Sequence, residues 1–144
     1  LPAIPLISDV FTADDTGTVA TMHHLCGVVE VPVNLSEGNA ATKVTLFSIN
    51  SSDGKLAGNY TATPYPPYFL GTSTPYNNTA YSEEKATPYE AGDITVFIPV
   101  LPGTCTGVFL NVHFDGGAGG TYIDKDRQLV VERGKITKVT QVNY

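Results

Sequence analysis

Leu25-Cys26-Gly27-Val28-Val29-Glu30-Val31-Pro32-Val33-Asn34-Leu35 is the stretch that decides how this chain folds. Val29, Val31, Val33 and Leu35 recur at every second position, the period of a strand that buries one face. Pro32 has no backbone donor, which predicts an edge or a bulge for this strand. Downstream, Lys43 to Asn50 is β-branched and aromatic and stops at Ser51-Ser52-Asp53-Gly54. Asp-Gly supplies the positive φ angles of a tight turn, so a hairpin into Lys55 to Thr63 is expected. Ile94, Val96, Ile98 and Val100 alternate until Pro99 and Leu101-Pro102-Gly103 interrupt them, and Val108, Leu110, Val112 and Phe114 alternate up to Asp115-Gly116-Gly117. Tyr122-Ile123, Leu129 to Glu132 and Ile136 to Val142 complete the set, with Arg133-Gly134-Lys135 as the last turn. About seven or eight short strands with almost no helical periodicity predict an all-β fold, an antiparallel Greek-key β-sandwich.

Composition agrees with that reading. The chain has 144 residues, enough for one domain and one core, and only 15% of them are charged. Low charge with abundant Gly and Pro excludes coiled coils and helical bundles. A net charge of −6 leaves no basic stripe for nucleic acid, and no apolar run approaches the ~20 residues of a membrane-spanning helix. The first residue is Leu1, with no Met or basic leader before it, so a targeting segment upstream is expected. Residues 1–18 read as an arm or inter-domain linker and residues 19–144 as a single sandwich domain. Within it, residues 64–90 form a long loop rich in Pro and Tyr, where no alternation survives.

Few residues invite chemistry. Cys26 and Cys105 lack the CxxC spacing of a zinc site; they are either bridged or buried separately as small apolar side chains, and the commonness of buried thiols favours the second. His23 and His24 are adjacent, so on a strand they point to opposite faces, while His113 falls on the solvent side of its strand. Asp124 and Asp126 share a strand face at a spacing usable for glycoside hydrolysis or calcium, but Lys125 and Arg127 beside them read better as a mixed-charge sheet edge. No Gly-x-Ser-x-Gly elbow occurs. The chain is therefore read as non-enzymatic, with no catalytic residue, no metal and no cofactor. Tyr65, Tyr68, Tyr76 and Tyr81 in the long loop offer flat apolar faces with polar tips, suited to a sugar or a protein partner. Asn-x-Ser/Thr sequons begin at Asn34, Asn50, Asn59 and Asn77.

Three blocks carry a family resemblance: His24-Leu25-Cys26-Gly27-Val28-Val29-Glu30-Val31, Lys43-Val44-Thr45-Leu46-Phe47-Ser48-Ile49, and Asp53-Gly54-Lys55-Leu56-Ala57-Gly58-Asn59-Tyr60-Thr61. With Val96-Phe97-Ile98-Pro99-Val100-Leu101-Pro102-Gly103, Val108 to Val112 and Val131 to Ile136, the chain from about residue 22 onward resembles the fimbrillin-like surface proteins of Bacteroidales. The resemblance implies a transthyretin-like sandwich, the C-terminal half of a protein exported through a lipoprotein signal and displayed at the outer membrane or in fimbriae. A lipid anchor is expected upstream of Leu1. Implied partners are other surface or fimbrial subunits, with a host or glycan ligand as a further class. Assembly in that family proceeds by strand donation, for which Ile4, Leu6 and Ile7 of the arm and Ile136, Val139 and Val142 of the terminal segment are the candidates here. The lipobox cysteine and the arginine cleavage site of family pilins are not seen, the first Arg being Arg127. The expected function is thus cell-surface adhesion or fimbrium-associated structure; the alternative is a glycan-binding accessory module using Tyr65, Tyr68, Tyr76 and Tyr81.

Overall fold

Runs of alternating valine and isoleucine, punctuated by Gly, Pro and Asp, fold as strands throughout. The structure is a computed structural model and describes residues 4–8, 17, 20–53, 56–58, 60–66, 69–72, 78–124 and 126–144. In chain order the strands are β1 (Leu6–Ser8), β2 (Met22–His24), β3 (Gly27–Leu35), β4 (Leu46–Asn50), β5 (Tyr60–Ala62), β6 (Phe69–Thr72), β7 (Thr79–Tyr81), β8 (Gly92–Val100), β9 (Gly103–Cys105), β10 (Val108–Phe114), β11 (Gly117–Asp124), β12 (Leu129–Val131), β13 (Ile136–Lys138) and β14 (Val142–Asn143). The one helix among the described residues, α1 (Glu37–Ala40), begins where the Ser36 hydroxyl accepts the Asn39 N–H. The chain is all-β, as its alternation predicts.

Two sheets face each other. One runs β11-β10-β4-β7, all antiparallel. In the other, β3 lies between β8, antiparallel, and the terminal strands β13 and β14, both parallel to it. Val29, Val31, Val33 and Leu35 of β3, with Val96, Ile98 and Val100 of β8, meet Phe47 and Ile49 of β4 and Leu110 and Val112 of β10 in one buried cluster. The Tyr89 ring meets Phe47 edge-on at 5.1 Å. Burying each of these side chains contributes about 1.5–3 kcal/mol, which is what holds the layers together.

Pro32 overturns the expectation of an edge or a bulge, because β3 is paired along both sides. Backbone bonds from Val28 to Lys135, Val139 to Glu30 and Tyr144 to Asn34 show that the even residues of β3 face the terminal segment. The next rung would run from the N–H of residue 32, which proline lacks. There the terminal segment leaves the ladder after Lys138 and rejoins it at Val142. Proline is accommodated in an interior strand by a gap in its neighbour. Pro99 does not interrupt β8 either: it lies opposite Val28, whose polar groups face the terminal segment, so Pro99 points its missing donor off the outer edge of the sheet.

The hairpin expected at Asp53-Gly54 does not form between β4 and the next segment. β4 is taken by β10 and β7, and the chain after Asp53 crosses to the other layer, where the Leu56 carbonyl accepts the Leu101 N–H. β5 pairs with β6 instead. The stretch 64–90 is likewise not one structureless loop, since it contains β6 and the edge strand β7. The arm is paired as well: β1 lies antiparallel to β2, and Ile4 and Ile7 pack on Leu25 and Cys26.

No disulfide joins Cys26 and Cys105; both are buried thiols. Burial, with a smaller contribution from the Asp53 carboxylate, pushes the Cys105 thiol from an ordinary 9 up to about 11. The folded state thus holds the proton more tightly than the unfolded chain. That stability is fully present below pH ~9 and is lost as pH rises through about 11. Denaturant titrations at stepped pH should show this alkaline loss, and Cys105→Ala should reduce it. For Pro32, substitution by Ala should change stability by less than about 1 kcal/mol, since no ladder bond depends on it, whereas Val31→Pro removes a donor toward β8 together with a fully buried side chain and should abolish cooperative unfolding.

Candidate functional site

The residues singled out by sequence are dispersed. Tyr65 is exposed in the turn after β5, where the Thr63 hydroxyl bonds to its carbonyl at 2.7 Å. Tyr81 stands exposed on β7. Tyr68 and Tyr76 lie outside the described residues. Among the donor candidates, Leu6 and Ile136 are exposed, Ile4 and Ile7 are half-buried under their own chain, Val139 packs on the main core and Val142 is buried beside β3. Asp124 ends β11, and Asp126 is exposed in the turn that follows, so the two do not share a strand face.

Among the described residues, two surfaces bear most directly on recognition. The first is the outer edge of β8. Its odd residues lie opposite the even residues of β3, so the peptide groups of Asp93, Thr95 and Phe97 point away from the sheet. Beside this edge runs a groove of about 260 Å³ that includes Ser82, Lys85, Tyr89, Thr95 and Phe97.

The second is the outer face of the β11-β10-β4-β7 sheet. Phe47, Ile49, Ala80, Leu110 and Val112 point into the core, so their strand neighbours point out. Register then aligns two rows across the strands. One reads Tyr122, Phe109, Asn50, Thr79; the other reads Gly120, Asn111, Ser48, Tyr81. Tyr122 meets Phe109 edge-on at 5.0 Å and 88°. A side chain at Gly120 would strike the Phe109 ring and the Leu110 carbonyl, so only glycine fits there. The Asn111 amide donates to Asn50 Oδ1. Ser48 Oγ lies 2.9 Å from His113 Nε2, and the His113 ring is 6.1 Å from that of Tyr81. His113 lies on the outer face of its strand, as expected, and is half-buried there between Ser48 and Tyr81.

Sequence reading found Tyr81 but missed Tyr122, Phe109, Asn50 and Asn111. The available signal was the polar half of each alternating strand: Phe109, Asn111 and His113 interleave with the buried positions of β10. Without the register, nothing in the sequence brings Asn50 to Asn111.

No protein-family model matches this chain, and a search of the curated proteins finds no match. Gly120→Val should displace the Phe109 ring and destabilise the fold by about 1–3 kcal/mol in denaturant titration, since overpacking has no room to relax against the Leu110 carbonyl.

Proposed function

We propose that this chain is a non-enzymatic module of cell-surface adhesion or fimbrium-associated structure, exported and displayed at the outer membrane, with the strand connectivity of a Greek-key, transthyretin-like sandwich. The observation that carries the reading is the outer edge of β8, where Asp93, Thr95 and Phe97 offer peptide groups beside an open groove. An extended segment added there would extend the sheet, main-chain bonds giving affinity and the groove selecting alternate side chains. The resemblance to fimbrillin-like proteins of Bacteroidales supports the same reading, as does an acidic chain of low charge.

The donor segment we assign is the arm of another copy. Ile4, Leu6 and Ile7 supply apolar side chains, and among the described residues the arm is held at home by a three-residue pairing with β2, the bond from the Leu25 N–H to the Pro5 carbonyl and the packing of Ile4 and Ile7 on Leu25 and Cys26. In this reading the terminal candidates Ile136, Val139 and Val142 serve their own β3 rather than a neighbour. The alternative, a glycan-binding accessory module, is favoured by the exposed Tyr81, although Tyr65 is not brought near it by the strand pairing.

Size exclusion and electron microscopy at rising concentration test this. The full chain should associate, deletion of residues 1–10 should abolish association, and a peptide of those residues should bind the deleted form. Thr95→Pro removes an outward donor without touching a β3 rung and should weaken peptide binding at least about tenfold. Monomers at all concentrations without peptide binding, or association unaffected by Thr95→Pro, would overturn the proposal.

A further inference from the structure

We propose that the outer face of the β11-β10-β4-β7 sheet is a binding site for an uncharged oligosaccharide, its rings stacking on Tyr81 and Tyr122 and its hydroxyls bonding to Asn50 and Asn111. The site uses different residues from the β8 edge and does not depend on strand addition. Its first support is shape. Tyr122 and Tyr81 are 56% and 51% exposed, and they stand at opposite corners of the two aligned rows. Between them lie the half-buried side chains of Phe109, Asn50 and Asn111, with the Phe109 ring covering Gly120 and Ser48 buried beneath its neighbours. The result is a strip with an aromatic wall at each end.

The second support is preorganisation. Tyr122 is fixed by the edge-on Phe109 ring, and Tyr81 by His113, which is itself bonded to Ser48. Large exposed rings already held in place lose little freedom when a ligand stacks on them. Gly120 contributes by letting the Phe109 ring lie down beside Tyr122.

The third support is charge. Although the chain carries −6, the eight positions of the two rows contain no Asp, Glu, Lys or Arg. A nucleic acid would stack on tyrosine but needs cations for its phosphates, and the strip has none. An acidic or basic peptide likewise finds no counter-charge. What the strip does offer is an amide pair on half-exposed residues: the Asn111 amide donates to Asn50 Oδ1, a bond that does not use the Asn50 Nδ2 hydrogens or the Asn111 Oδ1. A neutral sugar ring matches this set, since it presents an apolar C–H face for stacking and a rim of hydroxyls that both donate and accept. Three strand spacings and one two-residue step separate the tyrosines by roughly 16 Å, which calls for a ligand of several rings.

The test is titration calorimetry of the full chain, made in a bacterial host because Asn50 heads a glycosylation sequon, with neutral gluco-, manno-, galacto- and xylo-oligosaccharides and one polyanionic oligosaccharide. At least one neutral oligosaccharide should bind, and the polyanion should not. Tyr81→Ala and Tyr122→Ala should each weaken binding about tenfold while lowering the midpoint of thermal unfolding by no more than a few degrees, because both rings are about half exposed. Asn111→Ala should weaken it further, and Thr95→Pro should leave it as it was. No binding by any neutral oligosaccharide, or binding indifferent to both tyrosine substitutions, would overturn the proposal, as would a strip that binds only a protein or the polyanion.

Discussion

The rest of the molecule depends on β3 being paired along both edges at once. Its odd residues turn their side chains into the core and their peptide groups toward β8; its even residues bond to the terminal segment. A buried strand cannot leave these groups unsatisfied, because each orphaned donor or acceptor costs about 1–3 kcal/mol. β8 and the terminal strands are therefore required where they are. Once β3 is fixed between them, its valines present a flat apolar layer, and the second sheet has only one way to bury Phe47, Ile49, Leu110 and Val112 against it. The proline in the middle of this strand is consistent with that constraint, since the gap in the terminal segment removes the one partner that residue 32 could not have served.

The fold class was legible because alternation in β3, β8 and β10 is a local signal, and those strands lie within a few residues of where period-two burial puts them. What failed were inferences about neighbours. In sequence Pro32 and Pro99 mark an edge or an end, yet proline reports only on one side of a strand; at Pro32 that side meets a gap, and at Pro99 it meets the outer edge of the sheet. Asp53-Gly54 has the chemistry of a hairpin turn, but both edges of β4 are taken by β10 and β7, distant in sequence, so the segment that follows the turn has no edge of β4 to pair with. The short strands β6 and β7 escaped notice because prolines flank them and three or four residues are too few to show a period. β11 escaped in part for the opposite reason: Gly117, Gly119 and Gly120 carry little strand propensity, and Gly119 and Gly120 are tolerated there because Tyr144 and Phe109 occupy the space their side chains would fill.

The candidate site was less legible than the fold. An aromatic side chain can be seen in a sequence, and Tyr81 was. Its companions Tyr122, Asn50 and Asn111 come from strands far apart in the chain and are gathered only by register, which is a property of the sheet and not of any segment. The polar face of a half-buried strand also looks the same in sequence whether it is bare surface or a recognition strip.

The parallel pairing of β13 and β14 with β3 sets an order of events during synthesis. Val28 leaves the ribosome more than a hundred residues before Ile136, its partner. Until then β3 has one edge bare and its valines covered only in part, an aggregation-prone state that lasts while the intervening residues are made. Contacts this distant in sequence also slow folding in the test tube, because loop closure must precede the reward of pairing. In a chain built this way the closing of the main sheet waits on β13 and β14, whatever has been translated before them.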